Sequence, residues 1–337
     1  METNPAGEVV KSMVIRKSSQ DKGDISIVPL TGGFGNQLFQ FAFGLYLEEQ
    51  TGRKTFFDEF IGRPRKTGQS VSIMGISTSN YLAAYWRRQP RLMRKLYTRA
   101  FGWNLSKFLT IKNPNVYFQM MKNLSRILLA IRVRRRINVF TATNLGFDSS
   151  LDVYKPGMYI GYFQTSIYAS SPGTLDKLNQ IRPIKLSKGY SILLDEINNT
   201  RPLLLHVRLT DYLQEEKFGV PNVRYYQESF DCLSRMKDFS NVWVFSDDLK
   251  GAKELLENFK SNLELTLFNQ EDLTDIEVWS LMRYFNGYII ANSSFSWWGA
   301  FLRMDKSAPV CVPKPWFKGM RDPNLLIPAD WIQVESA

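Results

Sequence analysis

The 337 residues contain one histidine, His206, within the run His206-Val207-Arg208-Leu209-Thr210-Asp211. An imidazole, a guanidinium and a carboxylate this close together can hold an anion or move a proton. Arginine offers a phosphate a permanent, bidentate partner. Two further polar runs follow apolar stretches: Ser246-Asp247-Asp248 and Asn292-Ser293-Ser294-Phe295-Ser296. A carboxylate such as Asp247 can accept paired hydrogen bonds from a guanine ring. A hydroxyl-rich helix start gives N–H groups and hydroxyls to a phosphate. Earlier in the chain, Gly32-Gly33-Phe34-Gly35-Asn36-Gln37 is a glycine-rich turn. Gly33 and Gly35 let backbone approach a ligand closely, and Asn36 adds an amide. It lacks the third glycine of the dinucleotide fingerprint. Taken together these groups suit a nucleoside diphosphate. Taken singly, each also has a plainer reading: Ser246-Asp247 and Asn292 to Ser296 as helix caps, and Arg208 with Asp211 as an ion pair. One histidine cannot build a multi-histidine zinc site, and two distant cysteines, Cys232 and Cys311, do not supply the difference. Both read as reduced core thiols.

The elements that must position these groups follow from the apolar pattern. Residues 25–30 read as a strand, 37–49 as a helix and 54–58 as a second strand, a βαβ opening. Residues 159–164 read as a strand and 174–200 as a polar connection broken at Arg182-Pro183. Strands are then expected near 202–208, 242–247, 265–268, 288–292 and 309–312. Helices are expected over 223–237, 251–258 and 275–284, with another starting at 296–300. Short apolar strands alternating with helices predict parallel, doubly wound α/β sheets. In such sheets ligands bind beyond the carboxyl ends of the strands, at a switch point in strand order, where the polar runs fall.

Hydrophobic residues make up 44% of the chain, enough for two cored domains. The expected division is a polar segment over 1–24, an N-terminal domain over 25–175 and a C-terminal domain over 176–337. The net charge of +11 is uneven. Residues 60–147 hold 17 Lys and Arg and no acid, leaving the remainder net acidic. Apolar residues at helical spacing, such as Leu124, Ile127, Leu128 and Ile131, make this a basic helical block. It reads as a surface for an anionic membrane or a lipid-linked anionic acceptor; a solvated helical face stays open as the plainer reading. No RNA- or DNA-binding motif accompanies it, which argues against nucleic acid. The first 24 residues carry no apolar run, so the expected location is cytoplasmic, peripheral to the inner face of the membrane.

Five stretches, in order, resemble the family 11 glycosyltransferases that act as α-1,2-fucosyltransferases. They are Gly32 to Gln40, Gly161-Tyr162-Phe163-Gln164, His206-Val207-Arg208-x-x-Asp211-Tyr212, Phe245-Ser246-Asp247-Asp248 and Ile289 to Ala300. Leu209 and Thr210 stand where the family has a second arginine and a glycine, removing one positive charge. The resemblance implies two facing Rossmann-like domains, the B-type glycosyltransferase architecture. It implies GDP-fucose as donor, a galactose-terminated glycan as acceptor and no metal requirement. By the same resemblance Arg208 binds the β-phosphate, His206 and Asp247 the guanosine side, and Ser294, Phe295 and Ser296 the diphosphate end; Ser246, Asn292, Ser293, Gly33 and Gly35 are further candidates for binding the donor. Asn36 stands near the reacting centre.

The implied reaction is a single displacement that inverts a β-linked donor to an α product. Asp211 is the candidate base; Asn36 can orient but not take the proton. Three other readings stay open. With Leu209 and Thr210 in the motif, the chain could be a related metal-independent transferase with a different donor sugar. Asp247-Asp248 could hold a metal in an A-type transferase, or the chain could be a non-catalytic glycan-binding protein on the same fold.

Overall fold

Buried strands in parallel sheets are apolar along their whole length, because helices cover both faces. Leu203-Leu204-Leu205-His206-Val207 is such a run, and every residue of it is buried. The structure, a computed structural model, describes residues 25–58, 78–79, 138–183, 185–210, 212–213, 217–269 and 272–336.

Two sheets, both wholly parallel, form the core. The first contains β1 (Ser26–Pro29), β2 (Thr55–Asp58), β3 (Thr78–Ser79), β4 (Asn138–Thr141) and β5 (Gly157–Ile160) in the order β3-β2-β1-β5-β4. The second contains β6 (Leu203–Val207), β7 (Asn241–Ser246), β8 (Glu264–Leu267), β9 (Gly287–Ile289), β10 (Val310–Lys314) and β11 (Ile332–Glu335) in the order β11-β10-β9-β6-β7-β8. This is the doubly wound order of a Rossmann-like sheet. Each sheet therefore has one switch point, between β1 and β5 in the first and between β6 and β9 in the second.

The helices of the described residues are α1 (Phe34–Thr51), α2 (Ser166–Ala169), α3 (Pro172–Asn179), α4 (Lys188–Thr200), α5 (Val223–Ser234), α6 (Leu249–Leu255), α7 (Asp275–Leu281) and α8 (Ser294–Phe301). A single apolar cluster joins the sheets through α1 and α8. Phe39 packs against both Trp297 and Trp298, with centroids 4.6 and 4.8 Å away. Such pairs add roughly 0.5–1.5 kcal/mol each beyond their buried area. The Trp298 indole N–H donates to Gly35 O at 2.9 Å, wholly buried. The fold is thus two facing Rossmann-like units, joined where two helices begin.

Several expectations change. Helix α1 starts at Phe34, inside the glycine-rich turn, because Gly33 supplies the extended N-cap and its carbonyl accepts from Gln37 N–H. Residues 161–164 leave the strand, with Phe163 at φ 55°. The connection over 174–200 is largely helical: α4 buries Tyr190 and Ile197 on one face. Strand β11 has no counterpart in the sequence reading. The basic helical block over 60–147 falls mostly outside the described residues; where described, 78–79 and 138–141 are strands. Cys311 is buried and Cys232 partly buried, both as free thiols. No described helix is long and apolar enough to cross a membrane.

Candidate active site

A cavity of about 560 Å³ opens at the carboxyl ends of both sheets, a normal size for a small-molecule site. Gly33, Gly35 and Asn36 reach it from the β1 switch point, and Tyr162 and Gln164 from the end of β5. His206 and Arg208 reach it from the end of β6, Ser246 and Asp247 from β7, and Asn292, Ser293, Ser294 and Phe295 from β9. Ser296 does not line it. Its hydroxyl turns back onto Ser293 O at 3.3 Å. Asp211 lies outside the described residues.

Two helices begin at the cavity. Gly33 caps α1 with no side-chain hydrogen bond. Ser293 caps α8, its hydroxyl accepting from Phe295 N–H at 3.4 Å. The two starts touch. A methyl group on Gly35 would stand 2.5 Å from the Ser294 carbonyl carbon, so only glycine fits there. The positive ends of two helix dipoles thus converge on one space, with Arg208 on its wall.

The end of β6 is braced by Asp247. Its Oδ1 accepts from Leu209 N–H at 2.9 Å and its Oδ2 from Thr210 N–H at 3.1 Å and from the Thr210 hydroxyl. Arg208 Nε lies 3.3 Å from Oδ2. Burial pushes the Asp247 carboxyl up, but these hydrogen bonds and the Arg208 charge outweigh it and hold it below its ordinary value. The carboxylate expected to read guanine is therefore committed to the turn that presents Arg208. The same turn explains the departure at 209 and 210. Leu209 is buried in the apolar cluster of the second sheet, against α6, and is absent from the cavity wall. The leucine at 209 thus serves the core of this unit and brings no charge to the cavity. Thr210 puts a hydroxyl where it bonds to Asp247.

His206 is 4% exposed. Burial, then repulsion from Arg208, push its pKa down to about 3 against the pull of Asp247. The imidazole is neutral near pH 7, and its Nδ1 makes no hydrogen bond. Gln164 Oε1 and Asn292 Oδ1 are likewise buried and unbonded. Gln164 Nε2 donates to Asn36 Oδ1 at 2.8 Å, tying the two sides of the first switch point together. Gln40 reinforces this, its Nε2 donating to Gly161 O at 3.0 Å and Thr31 Oγ1 at 2.8 Å. Asn292 Nδ2 donates to Phe218 O and Gly219 O, so this residue fixes a loop of the wall.

Sequence reasoning missed several lining residues. Asp275, in the first turn of α7, is an exposed carboxylate with no hydrogen bond or ion pair, and it lines the cavity. Its sequence context, after Thr274, signals only a helix start. Phe218, Trp316, Phe317 and Met320 also line the cavity, yet as single apolar residues in loops they carry no sequence signal. Among the described residues no cluster of three or more His, Cys, Asp or Glu could hold a metal.

Doubly wound sheets with a cleft at their strand ends, lined by Arg208 and two helix starts, form the arrangement in which such folds hold phosphorylated ligands. The sequence profile of glycosyl transferase family 11 matches residues 150–324, and the chain belongs to that family. It is a glycosyltransferase. It is 27% identical to an Escherichia coli alpha-1,2-colitosyltransferase over 92% of this chain and 99% of that protein. It is 22% identical to the E. coli O-antigen biosynthesis glycosyltransferase WbnK over 90% of this chain and 99% of that one. Among solved structures, the fucosyltransferase NodZ from Bradyrhizobium aligns with 13% identity and a TM-score of 0.42, over 83% of this chain and 93% of that one.

Proposed function

We propose that the chain transfers L-fucose from GDP-β-L-fucose to the 2-hydroxyl of a galactoside, with inversion, in surface-glycan or O-antigen synthesis. The observation that carries this is the convergence of the α1 and α8 starts with Arg208 on one cavity. The acceptor oxygen attacks the anomeric carbon, the bond from that carbon to the β-phosphate oxygen breaks, and the electron pair leaves on GDP. Negative charge grows on the diphosphate, where helix N–H groups and Arg208 are placed in advance to stabilise it. Neutral His206 adds a hydrogen-bond donor without a competing charge. The acceptor proton goes to a base, for which Asp211 remains the candidate. Asp275 replaces Asp247 as the guanine reader, because its carboxylate is unengaged. The basic block over 60–147 would hold the chain at an anionic membrane surface, beside a lipid-linked acceptor.

The likeness to a colitosyltransferase supports a second reading, with colitose, the 3-deoxy form of fucose, as the sugar.

Calorimetry with GDP, UDP and CDP, with and without EDTA, tests the donor site. Tight binding of GDP alone, unchanged by EDTA, supports it. Preference for another nucleotide, or a metal requirement, overturns it. Transfer assays with GDP-fucose and GDP-colitose on a galactoside panel then separate the two sugars.

A further inference from the structure

Beyond Arg208 the cavity wall turns aromatic. The Arg208 guanidinium carbon lies 5.9 Å from the centroid of the Tyr212 ring. Tyr212 lies 4.9 Å from Phe218, and Phe218 lies 5.5 Å from Phe317, centroid to centroid. Met320, 5% exposed, lines the same cavity. The wall is tied by hydrogen bonds. Tyr212 donates its hydroxyl to Asn292 O at 2.9 Å. Asn292 Nδ2 donates to Phe218 O at 2.9 Å. The two loops that carry the wall bond to each other, Lys318 N–H to Phe218 O at 3.2 Å and Gly319 N–H to Lys217 O at 2.9 Å. Asp322 accepts from Phe317 N–H at 2.7 Å, fixing the second loop.

A sugar joined to the β-phosphate must lie next to the group that holds that phosphate. The ring contacts from Arg208 through Tyr212 and Phe218 to Phe317, with Met320 on the same cavity, give a sugar next to Arg208 one apolar wall. The last three carry no side-chain hydrogen-bond donor, and only the weak thioether acceptor of Met320. A hydroxyl pressed against them loses its water without gaining a partner, while a methyl group loses nothing. On the donor-site reading above, we infer that Phe218, Phe317 and Met320 select the donor sugar by the absence of its 6-hydroxyl, so the site takes 6-deoxyhexoses. Fucose and its 3-deoxy form both pass this filter, because both end in a methyl group at carbon 6.

GDP-L-fucose and GDP-L-galactose differ only by hydrogen or hydroxyl at carbon 6, so their affinities measure the filter without any acceptor. Calorimetry on the wild-type chain should give GDP-L-fucose about 10- to 100-fold tighter than GDP-L-galactose. Met320→Gln offers the hydroxyl a partner and should narrow that ratio at least about fivefold, both affinities being read against that of GDP for the same variant. Phe317→Tyr is the second variant, with the same expected direction. Equal wild-type affinities, or a ratio unmoved in both variants while GDP still binds, overturn the filter alone. Failure of the wild type to bind GDP overturns the donor site and the filter together.

Discussion

Gly35, in the first turn of α1, lies flush against Ser294, the first residue of α8. A methyl group on Gly35 would come within 2.5 Å of the Ser294 carbonyl carbon and 2.7 Å of Phe295 N. Gly33, two residues earlier, has nothing within 4 Å of the same position and an ordinary φ of −72°. One glycine is thus required by packing and the other only by what approaches the helix start. Gly35→Ala should lower stability by roughly 1–3 kcal/mol, read as a fall in melting temperature. Gly33→Ala should melt like wild type yet bind GDP at least about tenfold more weakly in calorimetry. Normal GDP binding by Gly33→Ala would remove this helix start from the donor site.

Arg208 is the side chain best placed to take the charge of the departing diphosphate. Arg208→Ala should lower kcat by roughly 10²- to 10³-fold, the usual loss for a group that stabilises transition-state charge. Arg208→Lys should recover only part of it, because a point charge cannot grip two oxygens. The ion pair to Asp247 is partly exposed, so both variants should melt close to wild type. Near-normal turnover in Arg208→Ala would sink the assignment.

Asp275 and Asp247 can be told apart by nucleotide preference. Asp275→Asn should weaken GDP binding about 10- to 100-fold, because a charge-accepting pair of oxygens becomes half donor, and it should leave the fold intact. Asp247→Asn should instead loosen the turn at 208–210 and lower both stability and turnover. If Asp275→Asn binds GDP as wild type does, guanine is read elsewhere.

The polar runs at the ends of β6, β7 and β9 pointed to the cavity they line, because a parallel sheet gathers strand ends on one edge and the runs sat where strands had to stop. The alternation of short apolar strands and helices in the second half likewise implied one doubly wound sheet, while the second, facing unit was expected from the family resemblance. What the sequence hid was partnership. Asp247 and Asp275 are both acids beside a helix start, and only the fold reveals that one is bonded to Leu209 and Thr210 and the other to nothing. Leu209 looked like a lost charge beside the phosphate, yet the chain's exit from β6 turns it into the core. Phe218 and Phe317 are 99 positions apart in the chain, and no local pattern links them. Strand β11 was missed because it is a four-residue, half-exposed edge strand whose apolar–polar alternation, Ile332-Gln333-Val334-Glu335, differs from the continuous apolar runs of the buried parallel strands.

His206 gives the site a pH signature. In the unfolded chain an imidazole titrates near 6.5. In the folded chain burial and Arg208 bring it to about 3. Between those values the unfolded chain binds a proton that the folded chain refuses, so stability falls as pH drops from about 6.5 towards 3 and is unaffected by His206 above that window. One refused proton corresponds to ~1.4 kcal/mol per pH unit. The acid side chains also titrate in this range, so the difference between wild type and His206→Gln isolates the imidazole. Urea unfolding at pH 7.5, 6.5, 5.5 and 4.5 should show the wild type losing stability faster than His206→Gln below pH 6.5, with parallel behaviour above it. The same low value means that His206 does not supply a base near neutrality, so wild-type turnover should show no inflection at pH 6 to 7 from this group. Identical slopes for the two proteins would mean that His206 takes a proton in the folded state, and an imidazolium beside Arg208 would then have to be counted among the cations that hold the diphosphate.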